Sequence, residues 1–138
     1  MKLNIEDFSG AWRIQRDISD LRILETGTLE GQATFTPDAD GLRYHETGQL
    51  RFAGSAPVLA ERRYIWTFQA DIITVTHADG SPFHSFERSA GFTATPHLCG
   101  QDLYQGTYSF TQFPDWQVTW QVTGPRKDYR SVTSYSRA

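Results

Sequence analysis

The sequence predicts an all-β fold: a single antiparallel up-and-down barrel of about eight to ten strands with a short N-terminal helical turn. The clearest evidence lies at residues 116–123, Trp-Gln-Val-Thr-Trp-Gln-Val-Thr, where apolar and polar side chains alternate strictly. Only a β-strand gives that pattern two clean faces. Similar segments recur along the chain with turn residues between them. No stretch has the i, i+3, i+4, i+7 spacing of a packed helix.

The first half of the chain contains the predicted helical turn and four strands. The turn covers residues 7–10, and period-two alternation predicts strands at 11–18, 27–36, 42–52 and 61–68. The sequence Pro-Asp-Ala-Asp-Gly at 37–41 is typical of a turn between antiparallel neighbours. The fourth strand is strongly aromatic, because Tyr64, Trp66 and Phe68 share one face.

The second half contains five further predicted strands. They cover residues 72–77, 83–88, 102–110, 116–123 and 129–136. The faces of the 83–88 strand are ambiguous, since the neighbouring Phe83 and His84 fall on opposite parities. Residues 89–101 are predicted to form a loop or an interrupted strand, because glycine and proline break their pattern.

Length and composition favour one domain over residues 1–138 and exclude several classes of protein. A chain of 138 residues with 13 basic and 16 acidic side chains has a formal charge of −3 and no long run of either sign. Electrostatics therefore gives no reason to expect nucleic acid or an anionic membrane as a partner. The single cysteine excludes an internal disulfide framework. Because neither a signal sequence nor an apolar membrane span is evident, we expect a soluble cytoplasmic protein.

The N-terminal segment Gly10-Ala11-Trp12 resembles the Gly-X-Trp signature of lipocalins and other calycins. In those proteins a short turn closes the barrel floor, and an arginine near the end of the last strand packs over the tryptophan. The resemblance implies a calycin-like, lipocalin-like barrel in which Gly10, Trp12 and Arg137 close the floor.

A second resemblance extends over nearly the whole chain. Asp-Gly-Ser-Pro-Phe-His at 79–84, His-Leu-Cys at 97–99 and Gly-Pro-Arg-Lys-Asp-Tyr at 124–129 resemble motifs of a bacterial domain family of unknown function. That family implies a calycin-like barrel and no particular activity. Any chemistry must therefore be argued from the residues themselves.

Two charged residues lie on strand faces that are otherwise apolar, Arg16 in the first strand and Glu46 in the third. A buried charge is costly unless it is paired. The two could form a salt bridge inside the barrel, or Arg16 could bind a ligand carboxylate or phosphate through its planar guanidinium. The sequence leaves both interpretations open.

Metal, haem and catalytic interpretations rest on a few residues that also have ordinary structural roles. His84, His97 and Cys99 could hold zinc with an open position, and His84 or His97 could ligate haem. His97, Asp102 and Cys99 could act as base, orienting group and thiol. No tight metal-binding or catalytic spacing supports these readings, so we expect no metal and no cofactor.

The leading functional hypothesis is non-catalytic binding of a small amphipathic or aromatic organic molecule inside the barrel. Inward aromatic side chains would supply contact area, while charged and histidine side chains would set orientation. The predicted ligand-binding residues are Arg16, Tyr44, Glu46, Tyr64, Trp66, His84, Tyr104, Tyr108 and Trp120.

Two alternatives from other classes stay open. One is an isomerase or hydrolase that uses His84, His97 and Asp102 as acid or base. The other is an interaction domain with a filled barrel, whose outer surface does the binding. The partner expected from the leading hypothesis is a small molecule, with neither nucleic acid nor a membrane, and a homodimer is compatible with the sequence.

Overall fold

The computed structural model describes residues 2–88 and 92–138, which form one short helix and eleven strands. Over these residues, no helix has the length and apolar character needed to cross a membrane. The elements are α1 (Ile5–Phe8), β1 (Gly10–Asp20), β2 (Glu25–Asp38), β3 (Gly41–Phe52), β4 (Val58–Gln69), β5 (Ile72–His77), β6 (Pro82–Glu87), β7 (Phe92–Thr93), β8 (His97–Cys99), β9 (Asp102–Gln112), β10 (Asp115–Gly124) and β11 (Lys127–Arg137).

The strands form one antiparallel sheet that curls into a nearly closed barrel. Its order is β6-β5-β4-β3-β2-β1-β11-β10-β9-β7, and β8 also pairs with β9. Two hydrogen bonds join the ends of the sheet: the Thr95 amide donates to the Ser85 carbonyl at 2.8 Å, and the Ser85 amide donates to Thr95 Oγ1 at 2.9 Å. The predicted all-β antiparallel barrel with an N-terminal helical turn is therefore confirmed.

The predicted helical turn needs correction, whereas the prediction of a loop or an interrupted strand over 89–101 agrees with the structure of residues 92–101. The helical turn covers Ile5–Phe8 instead of 7–10, because Gly10 already opens β1 with a φ of 108°. The stretch 89–101 contains the short strands β7 and β8, which are held by hydrogen bonds to β9. Its first part, residues 89–91, lies outside the described residues.

The up-and-down order gives the barrel two different ends. Five connections meet at one end, which we call the open end: β1–β2, β3–β4, β5–β6, β8–β9 and β10–β11. Helix α1 and the β2–β3, β4–β5 and β9–β10 turns lie at the other, which we call the floor. Most of the exposed large apolar side chains belong to the open end, namely Leu21, Ile23, Leu24, Val58, Leu59 and Leu98.

The floor is packed with aromatic rings around Phe8, which is completely buried. The ring centroid of Phe8 lies 5.3 Å from Trp66, 5.7 Å from Phe110 and 5.6 Å from Trp116, each in an edge-to-face arrangement. Such arrangements match the charge distribution of aromatic rings. Helix α1 thus inserts a plug into one end of the barrel and leaves no room there for a ligand.

Gly10, Trp12 and Arg137 lie together beside this plug. The guanidinium carbon of Arg137 lies 3.9 Å above the Trp12 ring, and its Nη1 donates to the Ser9 carbonyl at 2.8 Å. Gly10 has a left-handed φ, and a Cβ atom there would lie 3.2 Å from Arg137 Nη1. Glycine therefore suits both the backbone conformation and the close approach of the arginine.

Candidate functional site

A cavity of about 300 Å³ occupies the half of the barrel nearest the open end. Strand alternation explains its wall, since every second side chain of a barrel strand faces the interior. All nine residues predicted from the sequence as ligand contacts line this cavity: Arg16, Tyr44, Glu46, Tyr64, Trp66, His84, Tyr104, Tyr108 and Trp120.

The base of the cavity is a buried ion pair between Arg16 on β1 and Glu46 on β3. Arg16 is 4% exposed and Glu46 is 2% exposed. The pair is bidentate: Arg16 Nη1 donates to Glu46 Oε2 at 2.7 Å, and Nη2 donates to Oε1 at 2.8 Å. Arg16 Nε also donates to Thr133 Oγ1 on β11 at 2.7 Å. These bonds keep the two charges compensated in a region with little water.

Two tyrosine hydroxyls extend this network. Tyr44 donates its hydroxyl proton to Glu46 Oε1 at 2.6 Å, and the hydroxyl oxygens of Tyr44 and Tyr135 lie 2.8 Å apart. Because Tyr44 has only one proton to give, Tyr135 must be the donor in the second bond. The ring of Tyr135 stacks on Trp116 with centroids 3.7 Å apart. The polar base therefore rests directly on the aromatic floor.

Burial opposes the charges of the ion pair, but mutual attraction outweighs it. Desolvation lowers the pKa of Arg16, yet hydrogen bonding and proximity to Glu46 raise it above its ordinary value. Desolvation likewise raises the pKa of Glu46, and the hydrogen bonds and charge of Arg16 bring it below its ordinary value. Both groups are charged at neutral pH.

His84 supplies a neutral polar group higher in the wall. It is 6% exposed, and its Nε2 lies 2.8 Å from the Tyr108 hydroxyl oxygen. Burial, followed by the nearby His97 and His77, lowers the pKa of His84 to about 3. Within the described part of the chain, its Nδ1 has no hydrogen-bond partner. This nitrogen is itself buried, so a molecule in the cavity would reach it only after the imidazole or its neighbours move.

A β-bulge brings both Phe83 and His84 to the cavity. Val75 pairs with His84 while the next residue, Thr76, pairs with Pro82, so Phe83 is the extra residue of β6. The insertion turns two consecutive side chains inward. The Phe83 ring stacks on His77 at 5.0 Å and on Trp120 at 5.2 Å.

The position of Trp120 requires a glycine on the neighbouring strand. Gly106 is the register partner of Trp120, and a Cβ atom at residue 106 would lie 2.7 Å from Trp120 Cη2. The absence of a side chain lets the indole lie flat against β9. Trp120 also meets His84 edge-on, with ring centroids 4.7 Å apart.

The cavity has further lining residues that the sequence did not single out as ligand contacts. Five of them have the inward parity of β4 or β11: Arg62, Tyr129, Ser131, Thr133 and Tyr135. Strand alternation in the sequence could therefore have identified them as interior residues. His77 has the inward parity of Ile73 and Val75 on β5, whereas Phe83 depends on the local geometry of the β5–β6 hairpin. Only the bulge explains why Phe83 faces inward.

The residues of the metal and catalytic alternatives do not form a reacting cluster. His84, His97 and Cys99 line the cavity, but no group of three His, Cys, Asp or Glu residues in the described ranges is positioned to hold a metal ion. Asp102 does not line the cavity with His84 and His97; Lys127 Nζ lies 3.1 Å from its Oδ2. The structure therefore does not bring Asp102 into the cavity with the two histidines of the enzyme hypothesis.

A second depression of about 490 Å³ lies against β1, β9, β10 and β11. Most of its lining residues are polar and belong to the outward parity, for example Arg13, Gln15, Gln117 and Ser136. Such a surface offers less apolar contact than the interior cavity, so the interior is the better candidate site.

The fold and the cavity define an antiparallel β-barrel protein with a plugged floor and an aromatic-lined interior. The chain belongs to a family of unknown function, DUF6314, whose model matches residues 8–137. A search of curated proteins found no match.

Solved structures share the fold at low sequence identity. A DUF3598 protein of unknown function from Nostoc punctiforme matches with a TM-score of 0.65 and 14% identity, over 99% of this chain and 50% of that one. This chain thus spans half the length of that protein. The S-type phycobiliprotein lyase from Guillardia theta matches with a TM-score of 0.66 and 8% identity, over 97% of this chain and 90% of that one.

Removing one member of the buried ion pair is expected to destabilise the protein strongly. Arg16→Leu leaves the Glu46 carboxylate buried without its partner, at a cost of about 3–5 kcal/mol in the free energy of unfolding. Adding Glu46→Leu is expected to restore most of that loss, because no isolated charge remains. Urea unfolding of both single variants and the double variant measures this coupling.

Arg43 gives a matched control, since it also forms a 2.7 Å ion pair, with Asp38, but on the exposed surface. Arg43→Leu is expected to change stability far less than Arg16→Leu. Equal losses of stability in Arg43→Leu and Arg16→Leu would contradict the role assigned to the interior pair.

His84 is expected to make stability depend on pH. Its pKa is about 6.5 when unfolded and about 3 when folded, so the unfolded chain binds the proton first as pH falls. The contribution of His84 is present above pH 6.5 and declines below it, by at most about 1.4 kcal/mol per pH unit. His84→Phe should flatten the stability profile between pH 6.5 and 5 in urea titrations. An unchanged slope would show that His84 is not buried in the neutral form.

Proposed function

We propose that this protein binds a small amphipathic aromatic molecule in the barrel cavity without transforming it chemically. The observation that carries the proposal is the composition of the cavity wall. Aromatic rings surround a space of about 300 Å³ that the protein's own side chains leave unfilled. A wall built for packing alone would close that space.

The size of the cavity limits the ligand. Pockets for small organic molecules range from roughly 300 to 1,000 Å³, and this cavity lies at the lower end of that range. It therefore suits a compact molecule of a few rings. An extended lipid chain would need more depth, but the Phe8 plug fills the floor.

The ring-lined wall favours an aromatic ligand. Phe83 and Trp120 stack nearly parallel, with planes 14° apart, and Tyr64 lies 5.7 Å from Phe83 on the β4 side. Because His77 and Trp120 cover the two faces of Phe83, a planar ligand would meet the edges of these rings. The tyrosine hydroxyls of the wall add polar contacts that a purely apolar molecule would leave unused.

The interior pair has a supporting role in this proposal. Arg16 and Glu46 compensate each other's charge, so they form a polar base on which the ligand rests. His84 lines the same wall as a neutral imidazole that is hydrogen-bonded to the Tyr108 hydroxyl. The exposed apolar side chains at the open end provide an access route for a poorly soluble molecule.

A cavity-filling variant tests the proposal, with the neutral fluorophore N-phenyl-1-naphthylamine as the probe. Ser131 lines the cavity on β11, so Ser131→Phe is expected to occupy ligand space and weaken probe binding about tenfold or more. Fluorescence titration gives the affinity of each variant, and circular dichroism checks its fold.

The control is Ser136→Phe, the same substitution on the outward parity of β11. It should leave probe affinity within about twofold. Wild-type protein that binds neither this probe nor its anionic analogue 8-anilino-1-naphthalenesulfonate, or equal binding by folded Ser131→Phe, would refute interior binding. The cytoplasmic location and the compatibility with a homodimer, both expected from the sequence, stay predictions.

A further inference from the structure

Arg62 is the second cation of the cavity wall, and its setting differs from that of Arg16. It lies on β4 with the same parity as Tyr64 and Trp66, opposite Glu46 on β3. It lines the cavity near the open end and is solvent-exposed. A ligand in the cavity can therefore reach its guanidinium without burying an isolated charge.

The neighbouring arginine shows what is unusual about Arg62. Arg63 points outward from the same strand and pairs with Glu61 at 3.0 Å. Arg62 forms no ion pair with any residue in the described ranges. Its charge still affects the neighbouring Tyr64. Burial raises the pKa of the Tyr64 hydroxyl, and the positive charge of Arg62 opposes that rise.

The charged side chains that line the cavity have a net positive charge. Glu46 is the only acidic side chain among the described residues that line the cavity. Burial raises the pKa of Glu46, its bidentate pair with Arg16 lowers it, and the charge of Arg62 adds to that lowering. Two arginines thus face one carboxylate, and Arg16 holds it. His84 is neutral. Arg62 therefore leaves the mouth of an otherwise aromatic cavity with an uncompensated positive charge, which favours an anionic group at that position.

We propose that the ligand is an anionic aromatic molecule whose rings lie among Phe83, Trp120 and Tyr64 and whose carboxylate, sulfonate or phosphate group is held by Arg62 at the mouth. This inference rests on the proposed function, because it names the chemical class of the molecule bound in the same cavity. The planar guanidinium presents paired N–H donors that match such oxyanions.

Two probes with the same aromatic skeleton separate ring binding from charge binding. They are 8-anilino-1-naphthalenesulfonate, which is anionic, and N-phenyl-1-naphthylamine, which lacks the sulfonate. Wild-type protein is expected to bind the anionic probe more tightly. Arg62→Gln should weaken that binding about tenfold, since a charge-assisted hydrogen bond is lost. It should change the affinity for the neutral probe less than about twofold.

The matched control is Arg63→Gln, which removes the same charge from the opposite face of the same strand. It should preserve the preference for the anionic probe. Arg62→Lys should retain part of the preference, because it keeps the charge but loses the paired donors. Ser131→Phe should weaken both probes, which places them in the cavity, and circular dichroism checks each fold.

The outcomes distinguish the two proposals. Binding of neither probe by wild-type protein would overturn both. Binding of the neutral probe with no preference for the anionic one, or an equal loss in Arg62→Gln and Arg63→Gln, would overturn the role of Arg62 alone and leave interior binding standing.

Discussion

The buried pair of Arg16 and Glu46 marks the level at which the packed part of the barrel ends and the cavity begins. Its charges must compensate each other because neither can be solvated at 4% or 2% exposure. The two bonds between them, together with those to Thr133 and Tyr44, tie β1, β3 and β11 into one network. On the floor side of the pair, aromatic rings pack against one another. On the side of the open end, polar side chains line the cavity, and apolar packing alone would leave them without hydrogen-bond partners.

The uneven filling of the interior follows from where large side chains fall along the strands. Near the floor, Phe8 inserts from α1 and meets rings from both sides of the barrel. Along β11, the inward positions Ser131 and Thr133 carry small side chains, which leave space in front of the aromatic side chains of the opposite wall. The same alternation therefore produces a solid core at one end and a cavity at the other.

The sequence predicted much of this arrangement because strand parity assigns each residue to the interior or to solvent. That rule placed Arg16, Tyr44, Trp66 and Trp120 on the cavity wall. It also contained a signal for Arg62, which lies two residues before Tyr64. Nevertheless, parity alone does not tell an occupied interior position from one that borders empty space, since that depends on packing across the barrel.

Other features lay beyond sequence reasoning. The bulge that turns both Phe83 and His84 inward depends on the register between β5 and β6. The strands β7 and β8 are too short to show periodicity, and they exist because β9 offers hydrogen-bonding groups. The sequence predicted a salt bridge between Arg16 and Glu46 as one of two possibilities, and its bidentate geometry follows only from the distances between their atoms.

If the open half of the barrel binds a small molecule, a crystal structure of the wild-type protein with N-phenyl-1-naphthylamine will show where that molecule lies. Interior binding predicts electron density for the fused rings against Trp120 and Phe83, above an intact Arg16–Glu46 pair. Density for the probe only on the outer surface, with the interior closed by the protein's own side chains, would contradict it.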